Sequence, residues 1–202
     1  MLESGGICPA CLWTFRDSFY PIGPSPASSK SPKPHRSHTS YLYGLPGWLQ
    51  LSRTMPTSTL LRATEQFLHD QIPLTKAMGV SVESYDETSL VLTAPLAPNH
   101  NHLGTAFGGS LATLATLAGY TLLWLELGDR GSHIVIQESH IRYKAPVRGD
   151  IRAVAPRLEE KTLQAFRDTY QRTGKARLTL PISIVSEGKV CVEFTGTFVA
   201  LR

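Results

Sequence analysis

The sequence predicts an α+β fold in which an antiparallel sheet wraps around one long central helix. Three observations lead to this prediction. Residues 105–127 carry apolar, alanine or threonine side chains on nearly every side at helical spacing, which is typical of a helix buried all round. β-Rich segments precede and follow this stretch in pairs separated by turn residues. The resulting order is helix, two strands, long helix, two strands, short helix and two strands.

The individual elements follow from periodicity and turn residues. A first helix is predicted to begin at Ser58, a favourable N-cap residue, and to end before Pro73. Strands are predicted at 80–85 and 89–94, joined by a polar turn. After the central helix, further elements are predicted at 134–146, 151–158, 159–173, 175–186 and 189–201.

Alternation along two of these strands assigns their faces. In the strand at 134–146, strict alternation puts the even-numbered side chains on one face: Ile134, Ile136, Glu138, His140 and Arg142. Neither face of that strand is purely apolar, which indicates a strand bordering a pocket. In the last strand, Val190 is predicted to face the core with Val192, and Cys191 is interpreted as a packing residue. Pro181 indicates an edge position or a bulge.

The first quarter of the chain differs from the rest. Prolines cluster among serine, glycine and lysine in residues 1–54 without sustained hydrophobic periodicity, so we predict a disordered Pro/Ser-rich N-terminal extension there. The remainder, 55–202, is predicted to form one domain. Met55 stands just before the first helix, and we hypothesise that both the folded unit and the translated protein begin at this residue.

Charge and cysteine content exclude several classes of protein. Five basic and two acidic side chains in residues 1–54 account for most of the net charge of +4, so no nucleic-acid surface is predicted on the folded part. No signal-like run is present, and the apolar helix is too short and threonine-rich to predict a membrane span. Three cysteines form no disulfide framework, which favours the cytoplasm. No metal or cofactor is predicted, because the histidines lack ligand spacing.

Two motifs resemble a known superfamily. The segment 101–109 resembles the one that opens the central helix in hotdog-fold thioesterases, whose pattern is Asn, two residues, Gly, two residues and His-Gly-Gly. The stretch 141–150 is similar to the passage from the third to the fourth strand in that superfamily. The sequence Gly-Thr-Ala-Phe-Gly-Gly-Ser at 104–110 resembles the corresponding motif in the thioesterase family of the YiiD C-terminal type. The resemblance covers residues 60–201.

This resemblance implies hydrolysis of an acyl thioester, with acyl-CoA as the expected substrate, at a site shared between two subunits. The backbone amides at a helix N-terminus are unpaired and lie at the positive end of the helix dipole. Gly108 and Gly109 would let a substrate carbonyl reach those amides, which would form an oxyanion hole. Both glycines could instead serve only a tight turn and close helix packing. A homo-oligomer is expected, either a dimer or a dimer of dimers.

The sequence departs from the family pattern at two positions. Phe107 occupies the position of the histidine, and Thr116 that of the acidic residue nine positions later. Both are retained as substrate-contacting candidates. Asn101 matches the family's asparagine, and could orient a water molecule or the thioester, or simply cap its loop.

Other residues of the sequence could supply the missing catalytic groups. Glu138 and His140 project from the same side of one strand, so Glu138 could act as a general base assisted by His140, or could pair with Arg142. His102 could contact substrate or cap the loop. A basic run could receive the phosphates of CoA or form an ordinary charged surface: Arg142, Lys144, Arg148, Arg152 and Arg157.

Two classes of function therefore stay open. One is an acyl-CoA thioesterase with unusual catalytic residues. The other is a non-catalytic module that binds an acyl thioester. A dehydratase is disfavoured, because it would need a histidine and an acid where Phe107 and Thr116 stand.

Overall fold

The structure is a computed structural model that describes residues 57–202. The predictions made for residues 1–54, and Met55 as a starting point, lie outside these described residues. The helices are α1 (Thr57–Gln71), α2 (Pro73–Met78), α3 (Gly108–Leu127) and α4 (Glu160–Thr173). The strands are β1 (Ser81–Tyr85), β2 (Ser89–Ala94), β3 (His133–Tyr143), β4 (Ile151–Pro156), β5 (Lys175–Ser186) and β6 (Lys189–Leu201). This order confirms the predicted α+β class.

The six strands form one antiparallel sheet in the order β1-β2-β4-β5-β6-β3. Strands β2 to β6 all contact α3, so the sheet wraps the central helix as the sequence predicts. Within residues 57–202, the two edges of the sheet are β1, which pairs only with β2, and β3, which pairs only with β6. The long edge strand β3 lies beside the central helix, and the described residues leave one row of its backbone groups unpaired.

The central helix α3 is buried along most of its length. It has 20 residues, and Gly128 ends it in a left-handed conformation while donating its N–H to the carbonyl of Trp124. The prediction that this helix is too short and threonine-rich for a membrane span is wrong as to length and composition, which would suffice, yet 61% of its most apolar window is buried inside the domain. Its apolar composition is therefore explained by its place in the core.

One glycine lets the sheet approach α3 closely. A Cβ atom at Gly119 would lie 2.3 Å from Cζ of Phe198 on β6. Phe198 is 1% exposed, so its ring fills the space that the missing side chain leaves. Gly119, in the middle of the helix, thus has a packing role.

Two β-bulges overturn the predicted faces. In β3, Ile136 pairs with Phe198 and Glu138 with Thr197, so Gln137 is an extra residue. The prediction that Glu138, His140 and Arg142 share a face with Ile134 is therefore wrong, because the bulge reverses the alternation beyond Gln137. These three side chains lie on the outer face of the sheet, away from α3.

A second bulge lies at the start of β6. Val185 pairs with Val190 and Ile184 with Val192, so Cys191 is the extra residue. The core position predicted for Val190 is wrong, since its side chain is 44% exposed. Cys191 is a buried free thiol, which confirms its packing role.

Some predicted boundaries also need correction. Helix α3 begins at Gly108 rather than Thr105, and α1 begins at Thr57, so Ser58 lies in the first turn and is not the N-cap. β3 and β4 end before 146 and 158. Pro181 lies on β5, which is an interior strand and not an edge. The pairing of β5 with β4 covers only Ser183 to Val185, so Pro181 has no partner residue on β4. Its missing N–H therefore costs no hydrogen bond on that side.

Candidate functional site

The first turn of α3 presents three backbone amides without partners. Phe107 is the N-cap residue and has an extended backbone, but its side chain makes no capping hydrogen bond. The first helical bond runs from the amide of Leu111 to the carbonyl of Phe107, at 3.0 Å. Among the described residues, the N–H groups of Gly108, Gly109 and Ser110 donate to no acceptor. They are therefore available to an anionic or carbonyl oxygen at the positive end of the helix dipole.

A cavity of about 320 Å³ opens beside this turn. Its lining combines the helix start with the end of β3 and the loop that follows: Ala106, Gly108, Leu111, Tyr143, Lys144, Ala145, Pro146 and Val147. Leu111 and Val147 are 4% and 0% exposed, so they close its inner end. The cavity is thus mainly apolar, with the polar helix start at one side, as is typical of small-molecule sites.

The surroundings of the two glycines at the helix start differ. A Cβ atom at Gly109 would lie 2.3 Å from Cε1 of Phe107, so this glycine lets the phenyl ring fold over the first turn. A Cβ atom at Gly108 would lie 3.6 Å from the Tyr143 ring, which is an ordinary contact. No packing within the described chain therefore requires glycine at 108, and the space that it leaves belongs to the cavity.

Asn101 fastens the loop that leads into α3. Its Oδ1 accepts hydrogen bonds from the amides of Leu103, at 2.9 Å, and Thr105, at 3.3 Å. Its Nδ2 donates to Oγ1 of Thr105 at 3.0 Å. The side chain is thus committed to its own loop, which is the capping alternative considered above, and its predicted contact with substrate stays a prediction.

We expect Asn101→Ala to lower the free energy of unfolding by about 1–2 kcal/mol, because two loop amides lose their acceptor. Asn101→Asp keeps an acceptor oxygen for both amides and should restore most of this loss. Urea denaturation of the two variants and the native protein measures the difference. Equal stability of Asn101→Ala and the native protein would contradict the fastening role.

Phe107 and Thr116 lie on the side of α3 that the described chain leaves partly open. The Phe107 side chain is 56% exposed at the helix start. Thr116 is half-buried, as are Gly109 and Tyr120 on the same helical stripe. A threonine hydroxyl can hold a water molecule by hydrogen bonds but does not ionise at neutral pH.

The other predicted residues are not brought to the helix start within one chain. His102 is exposed on the loop before α3. Glu138 and His140 are exposed on the outer face of β3, opposite Thr197 and Thr195 of β6. The alternative ion pair between Glu138 and Arg142 is not formed among the described residues.

The basic run is largely neutralised by acidic partners. Lys144 pairs with Glu193 at 2.6 Å, and this partner lowers the pKa of the Glu193 carboxyl. Arg152 pairs with Glu83 at 2.7 Å. Arg157 pairs with Glu126, which is buried. Only Arg142 and Arg148 of the run make no ion pair within the described residues, which weakens the case for a phosphate-binding surface.

Sequence reasoning missed Tyr143 as a residue of this site. Its hydroxyl donates to the carbonyl of Gly108 at 3.0 Å, and its ring lines the cavity. Strict alternation puts Tyr143 on the face opposite Ile134, and only the bulge at Gln137 brings it to the inner face. No signal in the sequence marks that bulge.

Residues 61–202 match the protein family described as Putative thioesterase (yiiD_Cterm). A solved protein of unknown function from Chlorobaculum tepidum is 35% identical, and the match covers 74% of this chain and 99% of that one with a TM-score of 0.69. A protein described as the putative thioesterase from Shewanella oneidensis is 32% identical, with coverage of 72% and 99% and a TM-score of 0.62. A Pseudomonas aeruginosa protein described as of unknown function, probable thioesterase, is 27% identical, with coverage of 73% and 96% and a TM-score of 0.60.

Proposed function

Because this chain belongs to the hotdog-fold family described as Putative thioesterase (yiiD_Cterm), we propose that it hydrolyses an acyl-CoA thioester at the start of α3. The observation that carries the proposal is the row of unpaired amides at Gly108, Gly109 and Ser110 beside an apolar cavity. The amides suit the thioester carbonyl, and the cavity suits an apolar acyl or pantetheine chain. The proposed setting is the cytoplasm, where the buried thiol of Cys191 stays reduced.

The proposed reaction needs little from the protein beyond placement and charge stabilisation. Water adds to the thioester carbonyl carbon, and the carbonyl oxygen gains negative charge as the tetrahedral intermediate forms. The amides of Gly108 and Gly109 would donate hydrogen bonds to this oxyanion. Collapse of the intermediate breaks the carbon–sulfur bond, and the products are a carboxylic acid and the free thiol after proton transfer from the attacking water.

We also propose that a second copy of the chain completes the site. Of the seven large apolar side chains that are exposed in the described residues, five belong to β3 or to the approach to α3: Leu103, Phe107, Val135, Ile136 and Tyr143. The unpaired edge of β3 adjoins them. Such a surface on an edge strand favours a symmetric dimer.

At micromolar concentration, light scattering should therefore give twice the chain mass of 22.2 kDa, or four times that mass for a dimer of dimers. Ile136→Asp puts a charge on the exposed part of β3 and should shift the mass towards one chain, with loss of thioester hydrolysis. Leu74→Asp changes an exposed leucine on α2 and serves as the matched control. A single-chain mass for the native protein would contradict the shared site.

The general-base role of Glu138 stays a prediction. The outer face of β3 holds this side chain, so the role requires a second copy whose helix start reaches that face. Glu138→Gln keeps the size of the side chain and removes its basicity. A loss of kcat/KM of about 100-fold would support the role. A value within about twofold of the native protein would remove it.

The proposed function is tested by thiol release from acyl-CoA substrates with short, medium, long and aromatic acyl groups. The native protein should release thiol from at least one of them with saturable kinetics, and the rate should scale with protein concentration. Absence of release across the panel, together with saturable binding of the same acyl-CoA substrates, would overturn hydrolysis.

That second result would identify the alternative, a module that binds an acyl thioester without turnover. The observation that favours it is the pair Phe107 and Thr116, because neither side chain ionises where the family pattern has a histidine and an acid. Calorimetric titration with the intact acyl-CoA distinguishes binding from turnover, since hydrolysis would consume the titrant.

A further inference from the structure

We propose that Tyr143 is a positioning residue that orients the Gly109 amide for oxyanion binding by holding the carbonyl of Gly108. This inference rests on the proposed thioester hydrolysis at the start of α3. The Tyr143 hydroxyl donates to the Gly108 carbonyl oxygen at 3.0 Å, across 35 positions in the sequence. It is the side-chain hydrogen bond that ties β3 to the first turn of the central helix within the described residues.

The bond acts on the amide because both groups belong to one peptide unit. The carbonyl of Gly108 and the N–H of Gly109 share a planar trans peptide and point in opposite directions. A donor fixed on the carbonyl therefore fixes the direction of the N–H. It also polarises the peptide, which strengthens the N–H as a donor.

The first turn of α3 needs such a support. Two successive glycines give this turn greater backbone freedom than any other pair of residues would. The N-cap residue Phe107 supplies no side-chain hydrogen bond to restrain it. A ring packed at 3.6 Å from the Cβ position of Gly108, with its hydroxyl on that residue's carbonyl, restrains the turn from outside.

The bulge at Gln137 is what makes this contact possible. Tyr143 pairs with Val192 of β6, which is 0% exposed on the inner face of the sheet. Without the extra residue, the register that starts at Ile136 would place Arg142, rather than Tyr143, opposite Val192, and Tyr143 would point to the outer face. The bulge therefore places the Tyr143 phenol, instead of the Arg142 side chain, on the inner face beside the helix start.

The test compares Tyr143→Phe with Tyr170→Phe. Each variant removes one hydroxyl that makes a 3.0 Å hydrogen bond, but that of Tyr170 goes to Asp129 beyond the far end of α3. Tyr143→Phe should lower kcat for acyl-CoA hydrolysis by about 10-fold with KM nearly unchanged, because the amide acts chiefly on the transition state. Tyr170→Phe should leave both parameters within about twofold of the native values.

A second readout does not depend on turnover. In Tyr143→Phe the Gly109 amide proton resonance should move upfield, since the ring stays and only the polarising hydroxyl is lost. In Tyr170→Phe it should stay in place. An unmoved Gly109 resonance, or an unchanged kcat in an active protein, overturns the inference. A moved resonance in a native protein that releases no thiol supports the positioning of the amide and overturns the proposed function instead.

Discussion

Replacing Gly108 with alanine is expected to lower kcat/KM for acyl-CoA hydrolysis by about 100-fold, comparable with loss of an oxyanion-hole donor. The added methyl group would occupy the cavity space beside the amides of Gly108 and Gly109. The fold should be kept, because the new Cβ would lie 3.6 Å from the Tyr143 ring, an ordinary contact. Alanine also favours the helix over glycine, so the thermal midpoint should not fall.

The matched control is Gly149→Ala, in the turn before β4. A Cβ atom at Gly149 would meet no atom within 4 Å, and the residue does not line the cavity. Its kcat/KM should stay within about twofold of the native value. A Gly108→Ala protein that keeps a third or more of native kcat/KM would refute the placement of the reacting carbonyl at this turn.

Replacing Glu126 with alanine is expected to lower the free energy of unfolding by about 3–5 kcal/mol, because it leaves two arginines without their buried partner. Glu126 lies one residue before the end of α3 and is 3% exposed. Its Oε2 lies 2.9 Å from Nη1 of Arg167, and Arg157 binds its other oxygen at 2.5 Å. Both guanidinium groups also pair with Glu160 on α4.

This ion-pair cluster ties α3 to α4 and to the sheet. The hydroxyl of Tyr85 on β1 donates to Oε1 of Glu126 at 3.0 Å. Burial is the main cause that raises the pKa of the Tyr85 phenol, and the nearby negative charge of Glu126 adds to it. The hydroxyl therefore stays a donor at neutral pH. Two carboxylates and two guanidinium groups balance in charge, and removing one carboxylate breaks that balance inside the fold.

The comparison that isolates burial is Glu126→Gln against Glu83→Gln. Glu83 also binds an arginine, since it accepts hydrogen bonds from Nε and Nη2 of Arg152, but both side chains are nearly half exposed. Loss of that surface pair should cost about 0–1 kcal/mol. Urea denaturation at one protein concentration measures both, since a dimer's stability depends on concentration. Equal losses in the two variants would contradict the structural role of Glu126.

The fold could be predicted from the sequence because its signals are local and redundant. Apolar residues at helical spacing on nearly every side of the stretch 105–127 indicate a buried helix, and turn residues separate each pair of strands. The boundaries of β5 and β6 are those that alternation predicts. The start of α3 is three residues later than predicted, because Thr105 and Ala106 serve the preceding loop instead of the helix.

The site could be predicted only where backbone atoms form it. The glycine pair marks the helix start directly. Glu138, predicted on the same face as Ile134, and Tyr143, predicted on the opposite face, both lie on the other face than predicted because Gln137 is an extra residue. The position of a bulge depends on how two strands pair in the folded sheet, so alternation within a single strand cannot show it. For the same reason the sequence does not show the partners of the buried Glu126, which come from three separate parts of the chain: β1, the loop after β4, and α4.

The most direct test of the central claim is a structure of the assembled protein with a CoA analogue in which a methylene group replaces the thioester sulfur. The ketone cannot be hydrolysed, and its oxygen marks the position of the reacting carbonyl. We expect this oxygen within about 2.7–3.1 Å of the amide nitrogens at Gly108 or Gly109, with the acyl or pantetheine chain in the adjoining cavity. An analogue bound with its carbonyl away from the first turn of α3 would contradict oxyanion binding at this turn.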